Sequence, residues 1–318
     1  MEYFLYILLN VAFGVISLSI YLLMGERLAD KSIIVSLVVA MVFSVFFTYS
    51  LGASIVFIST ISTDTLYRKR SLISVAILIA VLFMNLTFNF SENTVLVESL
   101  SVGVGMAISL ILSNYMRMEI FKNESEKGHE NKIETTRDVF QIAVGILIIL
   151  AIVMFPKFLI LLGLISGSII AIIILDLVGL FRNTKMSKLV FRLERKNVQP
   201  GLGTLWFIAG LMLLVSLSPK WRVVEVGVFA MGVGDSLATI FGMNFRISGL
   251  FYNRKKSVGG FIFMLIPTAI FAMMILGPSY FIVALVATFV ESISRYPLDD
   301  NVTIPSSIIL SNLLLSIL

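Results

Sequence analysis

The chain has 318 residues, 58% of them hydrophobic and 14% charged, with a formal net charge of +5. Its mean hydropathy of +1.01 excludes an ordinary soluble domain, in which about a quarter of the residues are charged. With no cysteine and a single histidine, His129, the chain has no disulfide or thiolate chemistry and is a poor source of zinc sites or a Ser-His triad, which leaves oxygen-ligated magnesium, calcium or manganese as the metals to expect.

Apolar runs of about 18 residues or more read as membrane-spanning helices, not as the short alternating segments of a β-barrel. The expected fold is all-α, a multi-pass transmembrane bundle. The first run, 3–24, lacks the basic start of a secretory signal and reads as a retained span. Ten more follow at about 32–58, 71–90, 95–116, 139–155, 157–181, 201–218, 221–242, 258–276, 278–293 and 302–318. The stretch 117–136 mixes glutamates with lysines and reads as a polar cytoplasmic loop. It separates a four-span region, 1–116, from a larger membrane region, 137–318.

Of the 24 basic residues, 19 lie in or beside loops that follow even-numbered spans. The positive-inside rule then puts the N-terminus in the cytoplasm and the C-terminus outside. The net positive charge is thereby an orientation signal, with no call for a nucleic-acid partner.

A charge at membrane depth costs about 2.5–3.5 kcal/mol on insertion scales, yet the spans carry Glu98, Asp176, Glu225, Asp235 and Glu291. Glu98 and Glu225 lie near the outer ends of their spans, where a carboxylate reaching the headgroups is the plainer reading. Asp176, Asp235 and Glu291 lie in cytoplasmic halves, each followed by a basic loop. Carboxylates at one depth beside lysines suit a magnesium–nucleotide site. They also suit ion pairs that lock helices together.

Three motifs stand near these carboxylates. Gly232, Gly234 and Gly242 flank Asp235 on one span. Such glycines, like those of Gly163-x-x-x-Gly167 and Gly201-x-Gly203, are most simply explained by close helix packing. Lys255-Lys256-Ser257-Val258-Gly259-Gly260 enters the next span, and a helix N-terminus with nearby lysines holds phosphate well. A positive-inside loop with a helix-start serine has the same appearance. Asp299-Asp300-Asn301 precedes Thr303 and Pro305 at another helix start, as metal ligands and base or as a capping turn.

In this order the motifs resemble the CTP-dependent polyprenol kinase family, that of the dolichol and phytol kinases, with CDP-diglyceride synthases as distant relatives. The matching residues are Arg137-Asp138-Val139-Phe140-Gln141 with Gly145, Glu194-Arg195 before Gly201-Leu202-Gly203-Thr204, Gly234-Asp235-Ser236-Leu237-Ala238, Lys255-Lys256-Ser257, and Glu291 with Asp300-Asn301-Val302-Thr303-Ile304-Pro305. The resemblance spans about 137–305. It departs from the family pattern at Asp138 (a lysine there), Gln141 (a histidine) and Gly259 (a glutamate).

The resemblance implies a membrane-embedded lipid kinase that faces the cytoplasm, in a cell membrane or an endoplasmic-reticulum-type membrane. It would move the γ-phosphate of CTP to the hydroxyl of an isoprenoid alcohol, with magnesium as cofactor. Asp235 and Asp300 are the expected metal ligands and catalytic residues. Lys255, Lys256 and, more weakly, Arg195 would hold the nucleotide, while Gly234, Ser257, Gly259 and Gly260 shape the phosphate turn. Asn301, Thr303, Glu291 and Asp176 would support them. Alternatives are a cytidylyltransferase making a CDP-lipid and a non-catalytic lipid-binding or transport protein. No motif reads out the alcohol or the oligomeric state.

Overall fold

Glycines mark several of the closest helix contacts in this chain, because a residue without a Cβ lets two backbones approach. The computed structural model describes residues 2–24, 29–46, 49–67, 72–87, 91–120, 131–181, 184, 201–218, 220–244, 248–254, 256–295 and 298–317. Among the described residues every regular element is helical, with one isolated β-bridge between Gly249 and Ser257. Five helices are long and apolar enough to cross a membrane, within Glu92–Tyr115, Thr135–Met154, Lys157–Leu180, Trp221–Asn244 and Val258–Leu276, and six shorter apolar helices accompany them.

The chain divides into two units. The first comprises Met1–Glu124 and Phe158–Met212. It holds α1 (Glu2–Met24), α2 (Ala29–Phe46), α3 (Tyr49–Tyr67), α4 (Leu72–Thr87), α5 (Glu92–Ile120), α7 (Lys157–Leu180) and most of α8 (Leu202–Leu217). Helix α3 is the centre of the first five and packs on α1, α2, α4 and α5. Its residues from Leu51 to Ile61 are buried on every side. Glycine, alanine and serine make that possible: a Cβ on Gly52 would lie 2.6 Å from the Ala40 carbonyl oxygen of α2. Among its hydroxyls, Thr60 is satisfied within the helix, donating to the Val56 carbonyl at 2.8 Å.

The expected single span over 32–58 is two helices, α2 and α3, packed on each other. Hydropathy runs unbroken through Phe46 and Tyr49, and an average over apolar residues does not register a break in the backbone. Gly201, just before α8, has φ 88°, a left-handed conformation that a side chain resists. By contrast no described atom lies within 4 Å of a Cβ built on Gly163 or Gly167, so the small-residue spacing in α7 is not a close helix contact among the described residues.

The second unit comprises Ser125–Lys157 and Leu213–Leu318. Its helices are α6 (Asn131–Met154), α9 (Trp221–Phe229), a π turn (Ala230–Gly234), α10 (Asp235–Asn244), α11 (Val258–Leu276), α12 (Phe281–Ile293) and α13 (Asp300–Ile317). Helix α6 exposes apolar side chains such as Phe140, Leu147 and Val153 and buries one stripe, Asp138, Gly145 and Ile152, at seven-residue spacing. The stripe lies along α9, the π turn and α10. Gly145 meets Gly232 there so closely that a Cβ on Gly232 would stand 2.9 Å from the Gly145 Cα. At the far end Trp221 Nε1 donates to the Ile152 carbonyl at 3.0 Å. Stacked pairs Phe229–Phe271 and Phe241–Phe263, with ring centroids 4.2 and 4.1 Å apart, align α9 and α10 with α11.

These contacts separate two kinds of glycine. Gly232→Ala should destabilise the detergent-solubilised protein by about 1–3 kcal/mol, the cost of overpacking against backbone. Gly163→Ala, in open space, should leave the unfolding midpoint unchanged or slightly raised. Thermal or denaturant unfolding of the two variants checks the contrast.

Candidate functional site

The site begins with a change of helix geometry. Between Ala230 and Gly234 the backbone widens into a π turn, and the Asp235 N–H reaches back to the Ala230 carbonyl. Such turns insert an extra residue into a helix and recur where function needs a redirected side chain. All five residues of the turn are buried. Two side chains brace it: Gln141 Nε2 donates to the Met231 carbonyl at 3.0 Å, and Ser236 Oγ donates to the Gly232 carbonyl at 2.8 Å. Gly234 gives passage to α11, since a Cβ there would stand 2.7 Å from Thr268 Oγ1.

Directly after the turn, Asp235 joins Glu291 of α12 and Asp300 of α13. One carboxylate oxygen from each lies within 4.8 Å of the others. Each is placed by a different local device. Glu291 is buried in the last turn of α12. Asp300 is the first residue of α13, whose N-cap is Asp299: Asp299 Oδ1 accepts from the Asn301 N–H at 3.0 Å and from Asn301 Nδ2 at 2.7 Å. Thr303 Oγ1 and Ser294 Oγ, 3.1 Å apart, tie the start of α13 to the end of α12.

The cation is Lys256. Its ammonium donates to Glu291 Oε1 and, at 3.1 Å, to Asp300 Oδ2. A hairpin-like loop over 248–257 delivers it. Leu250 N–H donates to the Lys256 carbonyl at 2.9 Å, and Val258 N–H to the Ser248 carbonyl at 3.0 Å. Asn253 Nδ2 donates to the Ser292 carbonyl at 2.9 Å, Tyr252 Oη lies 2.7 Å from Ser292 Oγ, and Arg295 Nη2 donates to the Tyr252 carbonyl at 2.6 Å. Burial alone would draw the Lys256 ammonium towards its neutral form. The charges of Glu291, Asp300 and Asp235 outweigh that and hold it above the ordinary lysine value.

Charge decides what such a cluster can hold. With all three carboxylates ionised, as a bound cation would have them, one ammonium leaves an excess of two negative charges, which one divalent cation balances. Asp138 of α6 also lies within electrostatic reach of Asp235, and Arg137 Nη2 offsets it at 3.2 Å from Asp138 Oδ1. The donors are hard oxygens, the set that magnesium, calcium and manganese prefer. Asn301 Oδ1, a buried acceptor with no hydrogen-bond partner among the described residues, is a further oxygen beside Asp300. The residues fit a hard divalent cation.

The structure therefore brings together Asp235, Glu291, Asp300 and Lys256, with Asn301 and Thr303 beside them. Ser257 serves as N-cap of α11, accepting from the Gly260 N–H at 3.0 Å, which is the helix-start role. Gly260 and Gly242 are packing residues: a Cβ on Gly260 would meet the Ala238 carbonyl oxygen at 2.8 Å, and one on Gly242 would meet Ser257 Oγ at 3.0 Å. Gly259 is buried beside them. Asp176 is buried in α7 of the first unit. Lys255 and Arg195 lie outside the described residues. Asp138 and Gln141, read from sequence as departures from a pattern, turn out to face the π turn and Asp235. Their spacing with Gly145, three and then four residues along one helix face, was the signal that could have found them.

No family model matches the chain, and no solved structure matches it. It is similar to an uncharacterized protein of Methanocaldococcus jannaschii, MJ1137, at 28% identity over 173 residues. The match covers 54% of this chain and 88% of that protein.

Removal of the ammonium leaves buried carboxylates facing one another. Lys256→Gln should cost about 3 kcal/mol or more of stability, as when one partner of a buried pair is lost. The double variant K256Q/E291Q should recover most of the loss. Unfolding midpoints of the wild type, both single variants and the double variant form the cycle that measures the coupling.

Proposed function

We propose that the protein is an integral membrane lipid kinase that transfers the γ-phosphate of CTP to the hydroxyl of an isoprenoid alcohol, releasing CDP and a polyprenyl phosphate. One observation carries the reading: Lys256 stands among Asp235, Glu291 and Asp300, at the mouth of helices otherwise built of apolar residues. Such a set balances a divalent cation and the phosphates of a nucleotide. The order of the motifs around it supports the polyprenol kinase resemblance.

Each residue has a role in this reading. Asp235, Glu291 and Asp300 would hold magnesium, which supplies positive charge to the phosphate oxygens when bound. Lys256 neutralises negative charge that develops on the transferred phosphoryl group, leaving its carboxylates as the nucleotide binds. Asp300, fixed by the Asp299 cap, accepts the proton of the alcohol. The hydroxyl oxygen forms a bond to the γ-phosphorus while the bond from that phosphorus to the β–γ bridging oxygen breaks, and CDP carries away the electron pair. The rest is positioning: a lipid hydroxyl lies at the membrane surface and the nucleotide arrives from water.

The topology that goes with this reading follows the helices of the structure. Counted over the described helices, with α2 and α3 as separate crossings, α9 to α10 as one and α13 as the last, the reading has twelve crossings. Loops after odd-numbered ones then hold or border 21 of the 24 basic residues. This is a sharper asymmetry than the eleven-span reading gives. It keeps the loops at 121–130 and 245–257 cytoplasmic and moves the start of α1 to the opposite side.

Two measurements test these statements. Purified full-length protein with magnesium and γ-labelled CTP should move label to an isoprenoid alcohol. Asp235→Asn should lower the rate by at least about a hundredfold; label found only in pyrophosphate would instead identify a cytidylyltransferase. For orientation, the cysteine-free chain suits single-cysteine labelling. A thiol reagent that does not cross membranes should label E2C in intact cells and G128C only after permeabilisation. Labelling of G128C alone in intact cells would reverse the topology.

A further inference from the structure

The first unit contains a carboxylate that the kinase chemistry does not use. Glu98 was expected to reach the outer headgroups, but only 5% of it is exposed. It lies on α5, facing α3. Ser54 Oγ of α3 donates to Glu98 Oε1 at 3.2 Å, and Oε2 has no hydrogen-bond partner among the described residues. An acceptor left this way in an apolar interior is costly, and an ionisable group at membrane depth with no charged partner among the described residues asks for a functional reason.

A second orphan lies one turn further on. Ser101 is 1% exposed, and its Oγ also has no hydrogen-bond partner among the described residues. Residues three and four apart on a helix are neighbours, so Glu98, Ser101, Val102 and Gly105 share one arc of α5. That arc meets α3: a Cβ on Gly105 would run into the Ile58 side chain at 2.5 Å. Helix α1 packs on both α3 and α5. It carries Asn10, which is fully buried, with neither amide atom hydrogen-bonded among the described residues. Among the described residues, the packed helices α1, α3 and α5 thus carry three buried polar side chains, Asn10, Glu98 and Ser101, each with an oxygen that has no hydrogen-bond partner.

We propose that the first unit binds a monovalent cation, of which sodium is the probe, between Glu98, Ser54 and Ser101. Charge limits the occupant. One carboxylate balances one positive charge, and a divalent ion would leave a net charge in a low-dielectric interior. The ligand chemistry agrees: an ionised carboxyl and neutral hydroxyls are all hard oxygens. Lysine and arginine are absent from the surrounding stretches 50–61 and 93–113, so no side-chain cation from them competes for the position. The proposal stands apart from the nucleotide site and from the reading of its chemistry.

The test is the unfolding temperature of the full-length protein in detergent, in sodium chloride against choline chloride at equal ionic strength. A ligand that binds only the folded state raises that temperature with its concentration. Wild type should show a sodium-dependent rise. Glu98→Gln, which keeps the side-chain shape and an acceptor for Ser54, should abolish it. Ser101→Ala should raise the sodium concentration for half the effect by about tenfold. A second readout needs no variant. Dicyclohexylcarbodiimide reacts with a protonated carboxyl in an apolar site, so sodium should slow labelling of Glu98, read by mass spectrometry. Equal unfolding temperatures in the two salts, a sodium effect that survives in E98Q, or labelling indifferent to sodium would each overturn the proposal. The last would mark Glu98 as a carboxyl that holds only a proton.

Discussion

Four side chains of like and unlike charge have to coexist in the second unit, and the ammonium of Lys256 is what allows it. Without a cation, Asp235, Glu291 and Asp300 would repel one another in surroundings too dry to screen them. With it, the start of α13, the end of α12 and the π turn before α10 are held to one point. Much of the nearby architecture is support for that point. The 248–257 loop is tied to Ser292 by Asn253 and Tyr252, Asp299 caps α13, and Gln141 braces the widened turn.

The same cation accounts for how rigid and movable parts are divided. Carboxylates sit on helices, whose backbone hydrogen bonds fix them. The lysine sits at the end of a loop on a long flexible side chain, about 30% exposed. A lysine is suited to exchange partners, being a point charge with three rotatable donors. In the proposed reading, the ammonium is the part of the cluster that can change partners, and the carboxylates remain fixed on their helices.

The sequence was most legible where chemistry requires a particular residue in a particular order. Asp235 after paired glycines, Lys256 before a helix-start serine, and Asp300 behind a capping residue could all be picked out before any helix was placed. Roles were less legible than positions. The glycines at 232, 242 and 260 are contact points between helices, and Ser257 spends its hydroxyl on a cap. The fold was legible as apolar and helical, because hydropathy registers long apolar runs directly. Hydropathy does not report backbone continuity, which is why 32–58 read as one helix when it is parts of two. Nor does it report what a carboxylate faces, so Glu98 was assigned to the headgroups when it points into the first unit.

The π turn has a consequence for how this protein could arise or be lost. A π turn is wider than an α turn and advances less per residue, so its extra residue is absorbed without turning the rest of the helix. Excising one residue from Ala230–Gly234 would close the turn into ordinary α-helix and leave the packing ends of the segment, Trp221 against α6 and Phe241 against Phe263, in register with each other. What would go is the widened backbone itself, whose Met231 carbonyl accepts from Gln141 and which leads directly into Asp235. A single in-frame codon insertion or deletion is therefore enough to make or remove the turn beside the carboxylate cluster while the rest of the segment keeps its packing.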